Sequence, residues 1–399
     1  MGDDSYDLAV IGGGPAGSSA ARRAAQLGLW VLLLEKQVMP GIKPCGGAFS
    51  EAALRQLGFE LPPSLINTQV RGARVHYRRH ASSVRLERRI AVLVSREDFD
   101  ALLLEMARRA GTVCETATAK SLTRQGQRVL ITTGERVFSA SAVIIAQGAA
   151  GNLIRHVRRP DQRGACGLCM TSRIAVPQRD PFAQSPDLVD IHFGVVKRGY
   201  GWLFHHGRYY SVGIGGTLPL RQPYDALRTF CTSLGIDPPP PNAVRGHLIP
   251  RGGVPRVLVG GRMLLAGDAA GFVDPFCGEG LAYTIRSGQI AAEVVAQAIR
   301  HGDLSAANLR AYEQRCEAEF GRSLRWALRV ANVMHTCPWP FMRLLAGNRR
   351  VLRGYLESLL ARSYDGFLLW LARQMPRELI FGLTSGGESS LARSSRILD

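Results

Sequence analysis

The sequence predicts an α/β fold (α+β overall): a discontinuous Rossmann-like domain, an antiparallel-sheet domain and a helical C-terminal region. Three observations lead there. A β-rich run at Tyr6–Ile11 gives way to a glycine turn and a segment of helical period. The stretch from about Gly164 to Pro250 alternates apolar and polar residues as an antiparallel sheet does. A strand, a glycine turn and a helix then return between Met263 and Arg300, so the first domain is assembled from separated pieces.

In order, Tyr6–Ile11 reads as a strand, Gly12–Gly17 as a turn, Ala16–Leu27 as a helix and Trp30–Leu34 as a buried strand. Helical patterns follow at Ser50–Leu57 and Arg96–Ala110, with strands at Gly72–Tyr77, Ser83–Leu86 and Ala142–Ala146. Val189–Val195, Trp202–His206 and Tyr209–Gly215 supply the alternating segments, and Pro238–Pro241 is a stiff turn or linker. Met263–Ala266 is a strand and Glu279–Arg300 a long helix. The expected division is 1–70, 90–160 and 251–302 for the cofactor domain, and 71–89 with 161–250 for the sheet domain. Residues 303–380 form the helical region and 381–399, rich in Ser and Gly, a flexible tail.

Of 399 residues, 46% are hydrophobic, which supports a large core and excludes general disorder. The net charge is +18, and only four of the 50 basic residues are lysines, Lys36, Lys43, Lys120 and Lys197. This arginine skew fits a GC-rich genome, and it also fits anionic partners such as phospholipid headgroups. The arginines are scattered without the runs of a nucleic-acid-binding arm, so no nucleic-acid partner is expected. Eight cysteines do not make a disulfide framework, and Cys166-x-x-Cys169 has no second pair at zinc spacing, so no metal is expected. The acidic, polar opening Met1–Ser5 is unlike a secretory signal, and the longest apolar runs, such as Phe367–Ala372, are too short to span a bilayer. The expectation is a cytoplasmic chain with peripheral attachment to the inner face of the membrane. That attachment rests on helices mixing arginines with Trp326, Leu328, Trp339, Phe341, Leu344, Phe367, Leu368 and Trp370.

Two glycine-rich segments carry the chemistry. Gly12-Gly13-Gly14-Pro15-Ala16-Gly17 lies between a strand and a helix, and Glu35 closes the next strand with Lys36 after it. In such a turn Gly12 permits the sharp bend, Gly14 lets backbone approach a pyrophosphate, and Gly17 lets helix and strand close up. The helix N-terminus adds a positive dipole end, and Glu35 offers acceptors to ribose hydroxyls. The second segment runs Gly267-Asp268 to Pro275-Phe276-Cys277-Gly278-Glu279-Gly280-Leu281. A plain NAD site has no need of it, whereas FAD is long enough to require one. Asp268 suits the ribityl hydroxyls, and the Gly278–Gly280 amides suit the N1–C2=O edge of the flavin.

These segments, together with Lys43-Pro44-Cys45-Gly46-Gly47 and Tyr200-Gly201-Trp202-Leu203-Phe204, make the chain resemble the geranylgeranyl reductase family, flavoproteins of the para-hydroxybenzoate hydroxylase type of fold. The resemblance spans most of residues 1–300. It implies FAD-dependent saturation of isolated C=C bonds in isoprenoid chains, with hydride from reduced flavin N5 to one alkene carbon and a proton to the other. It places Cys45, Gly46 and Gly47 beside the flavin and Arg96 in contact with FAD, and it makes Tyr200, Trp202 and Phe204 a wall of the substrate cavity. Cys45 is then either a proton donor or packing against the ring. His205 is a candidate polar contact, and His206 is expected in solvent. A flavin monooxygenase or halogenase acting on an aromatic or polyketide substrate is the alternative, since it shares this fold, though a Trp-x-Trp-x-Ile-Pro segment is missing. Lys197 and His205 stand where the family usually has prolines, and Ala146-Gln147-Gly148 replaces Ala-Asp-Gly. With no second G-x-G-x-x-G, the electron donor is left open among NAD(P)H, ferredoxin and a quinol.

Overall fold

The computed structural model describes residues 5–41, 43–176, 180, 183–336 and 338–361, with only the backbone described at 359–361. The calls on Phe367, Leu368 and Trp370, the end of the helical region and the tail lie outside them.

The N-terminal strand, Ser5–Ile11, is buried at the centre of an eight-stranded sheet. It pairs in parallel with Val31–Glu35 on one side and Val137–Ile145 on the other. The late strand Met263–Leu265 adds in parallel beyond Val137–Ile145, which places the second glycine-rich segment next to the first. Strand Val113–Thr116 closes the far side, and a hairpin, Ser121–Gln125 with Arg128–Thr132, joins antiparallel. The strands are near-continuous apolar runs because both faces are covered. Helices Pro15–Gln26 and Leu281–Arg300 pack so closely that a Cβ on Gly288 would collide with the Ala16 carbonyl.

The second sheet has seven strands in the order 245–250, 166–175, 209–217, 199–205, 188–193, 72–77, 80–85. It is antiparallel except where Leu188–Phe193 runs parallel to Gly72–Tyr77, in register His76 to His192. This departs from a wholly antiparallel sheet. The two strands are more than a hundred residues apart in sequence, and a long crossover, unlike a hairpin, is free to deliver a parallel pair. Helix Pro223–Ser233, absent from the sequence reading, covers one face of this sheet through Leu227, Phe230 and Cys231. Its helical spacing is plain once Tyr224 is included.

The other face is roofed by Arg322–Thr336, Pro338–Gly347 and Arg349–Ala361. Ala327, Val330, Met334, Leu345 and Leu352 meet Ala73, Val75 and Tyr77 there. Trp326, Phe341 and Leu344 pack against this same core, while Trp339 stays 48% exposed. A small sheet of Ala48–Ser50, Thr68–Val70 and Ala91–Leu93 joins the two halves.

Candidate active site

The two sheets and the helical roof enclose a cavity of about 440 Å³. The glycine turn sits at one end. Gly12, at φ +107°, lies under the Ala146 carbonyl, 2.5 Å from where a Cβ would stand. A Cβ on Gly17 would collide with the Gly12 carbonyl, so helix and strand close up only with glycine there. Gly14 differs: nothing lies within 4 Å of its Cβ position, and it lines the cavity with Pro15 and Ala16. Pro15 begins the helix and no side chain caps it, so the first-turn N–H groups are offered to a ligand. Open backbone at a helix N-terminus, with closed backbone around it, fits a pyrophosphate and hence FAD.

Glu35 holds the turn: its Oε2 accepts from Gly13 N–H at 2.6 Å and its Oε1 from Gln37 N–H at 3.1 Å. Its side chain is committed to backbone, beside the expected ribose position. Lys36 is exposed and does not line the cavity.

The second glycine-rich segment forms the cavity's flank. Gly267, at φ +62°, turns the chain against Ala16, and Asp268 reaches the cavity with Thr284 Oγ1 at 3.5 Å and His247 Nε2 at 3.5 Å. The helix predicted from Glu279 starts at Leu281, with Gly280 as its N-cap. The reason is local: Asp274 N–H donates to the Glu279 carbonyl at 2.7 Å, and Asp274 Oδ1 accepts from Phe276 and Cys277 N–H. Pro275, Gly278, Glu279, Gly280 and Leu281 therefore line the cavity as a tight loop feeding a helix. Ser50 donates to the Glu279 carboxylate and fixes this loop to the small sheet.

On the wall, Tyr200, Trp202 and Phe204 project into the cavity from strand Gly199–His205. Tyr200 donates to the Cys277 carbonyl at 2.9 Å, and burial holds its phenol above the usual tyrosine range. Trp202 lies on Gly213, where a Cβ would collide with the indole, and Gly46 packs against Phe204 at 2.7 Å from its Cβ position. Cys45, Gly46 and Gly47 thus meet the aromatic wall, with Cys45 Sγ accepting from Gly47 N–H at 3.4 Å. Arg96 reaches the same place, paired bidentately with fully buried Asp100 at 2.9 Å. Burial works against its charge, but Asp100 and Cys45 outweigh it and hold the guanidinium above its ordinary range. Cys169 also faces the cavity, where burial beside Cys45 pushes its thiol up to about 12. Cys166 is three residues away on the same strand and so points to the opposite face, and the two cannot share an ion.

Neither histidine is where the sequence reading expects it. His205 is on the far side of its strand, edge-on to Tyr210 and 3.7 Å from Asp180, and does not line the cavity. His206 is buried, stacks on Tyr209, and donates from Nε2 to the Gly46 carbonyl at 2.9 Å. Strand alternation explains both, since 206 shares the parity of 200, 202 and 204. That parity, and the alternation that brings His247 to Asp268, are the signals the sequence reading left unused.

On the opposite face, His76, Asp190 and His192 bring possible ligand atoms within 4.8 Å. The two imidazoles stack at 4.1 Å and 4°, so their in-plane lone pairs do not converge on one ion. His76 Nε2 instead meets Asp190 at 3.2 Å.

Comparison with known proteins agrees with this geometry. Residues 7–175 match the lycopene cyclase protein family. The geranylgeranyl diphosphate reductase of Rhodobacter capsulatus is 31% identical over 74% of this chain and 76% of its own. The digeranylgeranylglycerophospholipid reductase of Methanocella arvoryzae is 29% identical over 82% and 87%. A geranylgeranyl bacteriochlorophyll reductase-like crystal structure from Thermoplasma acidophilum superposes with a TM-score of 0.80, covering 95% of this chain and 99% of that one at 24% identity. The fold and the glycine-rich cavity thus have the setting that the Rhodobacter similarity requires, and this chain belongs to the geranylgeranyl reductase family of FAD-dependent oxidoreductases.

Proposed function

We propose that the protein reduces isolated C=C bonds of an isoprenoid chain. The observation that carries this is the apolar part of the cavity lining, where Val75, Ile191, Phe193, Leu345, Leu352 and Leu356 form a passage packed together under the helical roof. Such a lining takes up a hydrocarbon chain and gives a polar substrate nothing to bind. Bound FAD, once reduced, supplies the hydride equivalent. The chain's own residues hold the alkene against the Tyr200–Trp202–Phe204 wall and exclude water around it. Cys45 lines the cavity at the junction of the wall and the glycine loops, and we assign its thiol the proton. The names of the relatives support this substrate class.

A membrane surface is the natural source of such a substrate. No helix among the described residues is long and apolar enough to cross a membrane. Val333 and Trp339 are exposed on the roof, with Arg343 stacked over Trp339 at 5.0 Å. This is a combination that docks on anionic lipid.

The test is anaerobic. Holoenzyme reduced with dithionite and given geranylgeranyl diphosphate should yield products heavier by two hydrogens per bond in mass spectrometry. Turnover that requires oxygen, with an oxygenated or halogenated product, overturns the reading. Trp339→Ala should weaken co-sedimentation with phosphatidylglycerol vesicles.

A further inference from the structure

Lys43 is not accounted for by the site described so far. A second cavity, of about 190 Å³, shares Lys43, Pro44, Cys45, Gly47 and Arg96 with the first and continues along the same sheet face past Thr171, Arg173 and Ser211 to Arg245. Unlike the isoprenoid passage, its lining is polar and cationic.

Four cations line it, Lys43, Arg96, Arg173 and Arg245, against one carboxylate, Glu97. Arg96 is committed to Asp100, and Arg173 to Glu97 at 2.9 Å. Among the described residues Arg245 meets only the carbonyls of Asn242 and Val244, which neutralise no charge. Lys43 is half-buried and has no ion pair or side-chain hydrogen bond among the described residues. Cationic groups that line a cavity without a counter-charge draw an anion into it. Glu97, the one carboxylate in the lining, is taken by Arg173, which leaves the Lys43 ammonium open to an anionic ligand.

We propose that this second cavity is a phosphate subsite in which Lys43 and Arg245 hold the phosphate of a ligand whose remainder enters the larger cavity. The inference rests on the proposed function in one respect, that this ligand works beside the flavin. Phosphate chemistry here has two sources: the headgroup of a phosphorylated isoprenoid, or the phosphates of a nucleotide reductant. Both bring a dianionic group to the Lys43–Cys45 segment, and a Lys–Arg pair suits either.

The first measurement uses inorganic pyrophosphate. Titrated into oxidised holoenzyme, it should perturb the flavin absorbance saturably, and Lys43→Gln and Arg245→Gln should each weaken it about tenfold, with Lys43→Arg restoring most of the loss. No perturbation in the wild type overturns the subsite. So does an equal loss of FAD affinity in Lys43→Gln, which assigns the lysine to the flavin's own phosphates. Turnover then separates the sources. A tenfold fall in the kcat/KM ratio of geranylgeranyl diphosphate to geranylgeraniol in Lys43→Gln identifies the headgroup. A tenfold rise in KM for NADPH, against unchanged turnover on dithionite, identifies the donor. Neither change overturns a role in turnover. If the wild type saturates no prenyl substrate, the proposed function fails while the pyrophosphate titration still reads the subsite.

Discussion

His206 ties the substrate sheet to the loop that carries Cys45: its Nε2–H donates to the Gly46 carbonyl, 160 residues away in sequence, at 2.9 Å. Because the carbonyl can only accept, Nε2 carries the proton; in the neutral ring Nδ1 accepts, from the Tyr209 hydroxyl at 3.2 Å and, with the amide nitrogen turned toward the ring, from the Asn67 side chain at 3.1 Å. The position of the Cys45–Gly47 loop, whose Gly46 lies against Phe204 and Trp202, thus depends on this imidazole, which is neutral in the folded protein. Burial is the main reason it stays neutral, bringing its pKa down to about 4 despite the Gly46 bond, with Arg173 and His205 adding to the effect.

That depression makes stability depend on pH in a defined direction. Above pH 6.5 neither folded nor unfolded chain protonates this site, and its contribution is complete. Between 6.5 and about 4 the unfolded chain takes up a proton that the folded one refuses, so stability falls by roughly 1.4 kcal/mol per pH unit, about 3 kcal/mol in all. His206→Gln keeps a donor and removes the titration. The difference in unfolding free energy between wild type and this variant, from urea titrations, should therefore shrink from pH 7 to pH 4. A difference that is flat with pH removes His206 from this account.

The glycine turn makes a contrast available from two neighbouring substitutions. Gly17→Ala puts a methyl into the Gly12 carbonyl, where backbone must move, and overpacking of this kind costs about 1–3 kcal/mol or more. Gly14→Ala adds the same methyl to open space, so thermal unfolding of the apoprotein should not change. With the pyrophosphate seated on this open backbone, as its fit there predicts, FAD affinity should fall about a hundredfold, roughly 2.7 kcal/mol. Calorimetry of the apoproteins and flavin fluorescence titration separate the two effects. Equal FAD affinity in Gly14→Ala would move the cofactor elsewhere.

Much of this was legible in the sequence, and the reason lies in what each residue does. Gly12 and Gly17 are dictated by backbone geometry that other residues resist, and Gly14 keeps the backbone between them open, so the motif announces the turn. Tyr200, Trp202 and Phe204 keep a period of two that survives folding because the strand has one cavity face. His205 and His206 could be assigned to opposite faces but not to named faces by composition. The polar residue went into the core because Gly46 and Asn67, distant in sequence, converge on it with Tyr209, three residues on, to satisfy it. The parallel pairing of Gly72–Tyr77 with Leu188–Phe193 is likewise a long-range contact that no local pattern encodes. Helix Leu281–Arg300 began two residues late because Asp274, through the turn it closes, competes for the chain before it.

Arg96 and Asp100 make a buried pair whose value appears only when it is broken. Asp100 is fully buried and both its oxygens accept from Arg96 at 2.9 Å. Arg96→Leu strands a carboxylate in the interior, a loss of about 3–5 kcal/mol. Arg96→Lys keeps the charge but loses the fork geometry, and it should fall between the two. In the double variant Arg96→Leu with Asp100→Leu the stranded charge is gone, and much of the stability should return. Thermal melts of the apoproteins read this, and a double variant no more stable than Arg96→Leu overturns the account.

The assignment of the proton to Cys45 has a sharper test than loss of activity, because Cys45 also packs against the aromatic wall. Cys45→Ala removes both the S–H and some volume, while Cys45→Ser keeps an ionisable-hydrogen donor of smaller size. If the thiol moves a proton, Cys45→Ala should lower kcat about a hundredfold, the usual range for one acid–base group. FAD affinity should stay within a few fold, since Gly46 and Gly47 and their contacts with Phe204 and Val94 are retained. Cys45→Ser should recover part of kcat and slow it in deuterium oxide more than in the wild type, because proton transfer from a poorer acid becomes the slow step. Packing alone predicts no order between them: Cys45→Ala and Cys45→Ser would then lose activity alike, with matching losses of flavin affinity and no change in the solvent isotope effect. Rapid-scan reoxidation of reduced flavin by a prenyl substrate, in both solvents, decides between them.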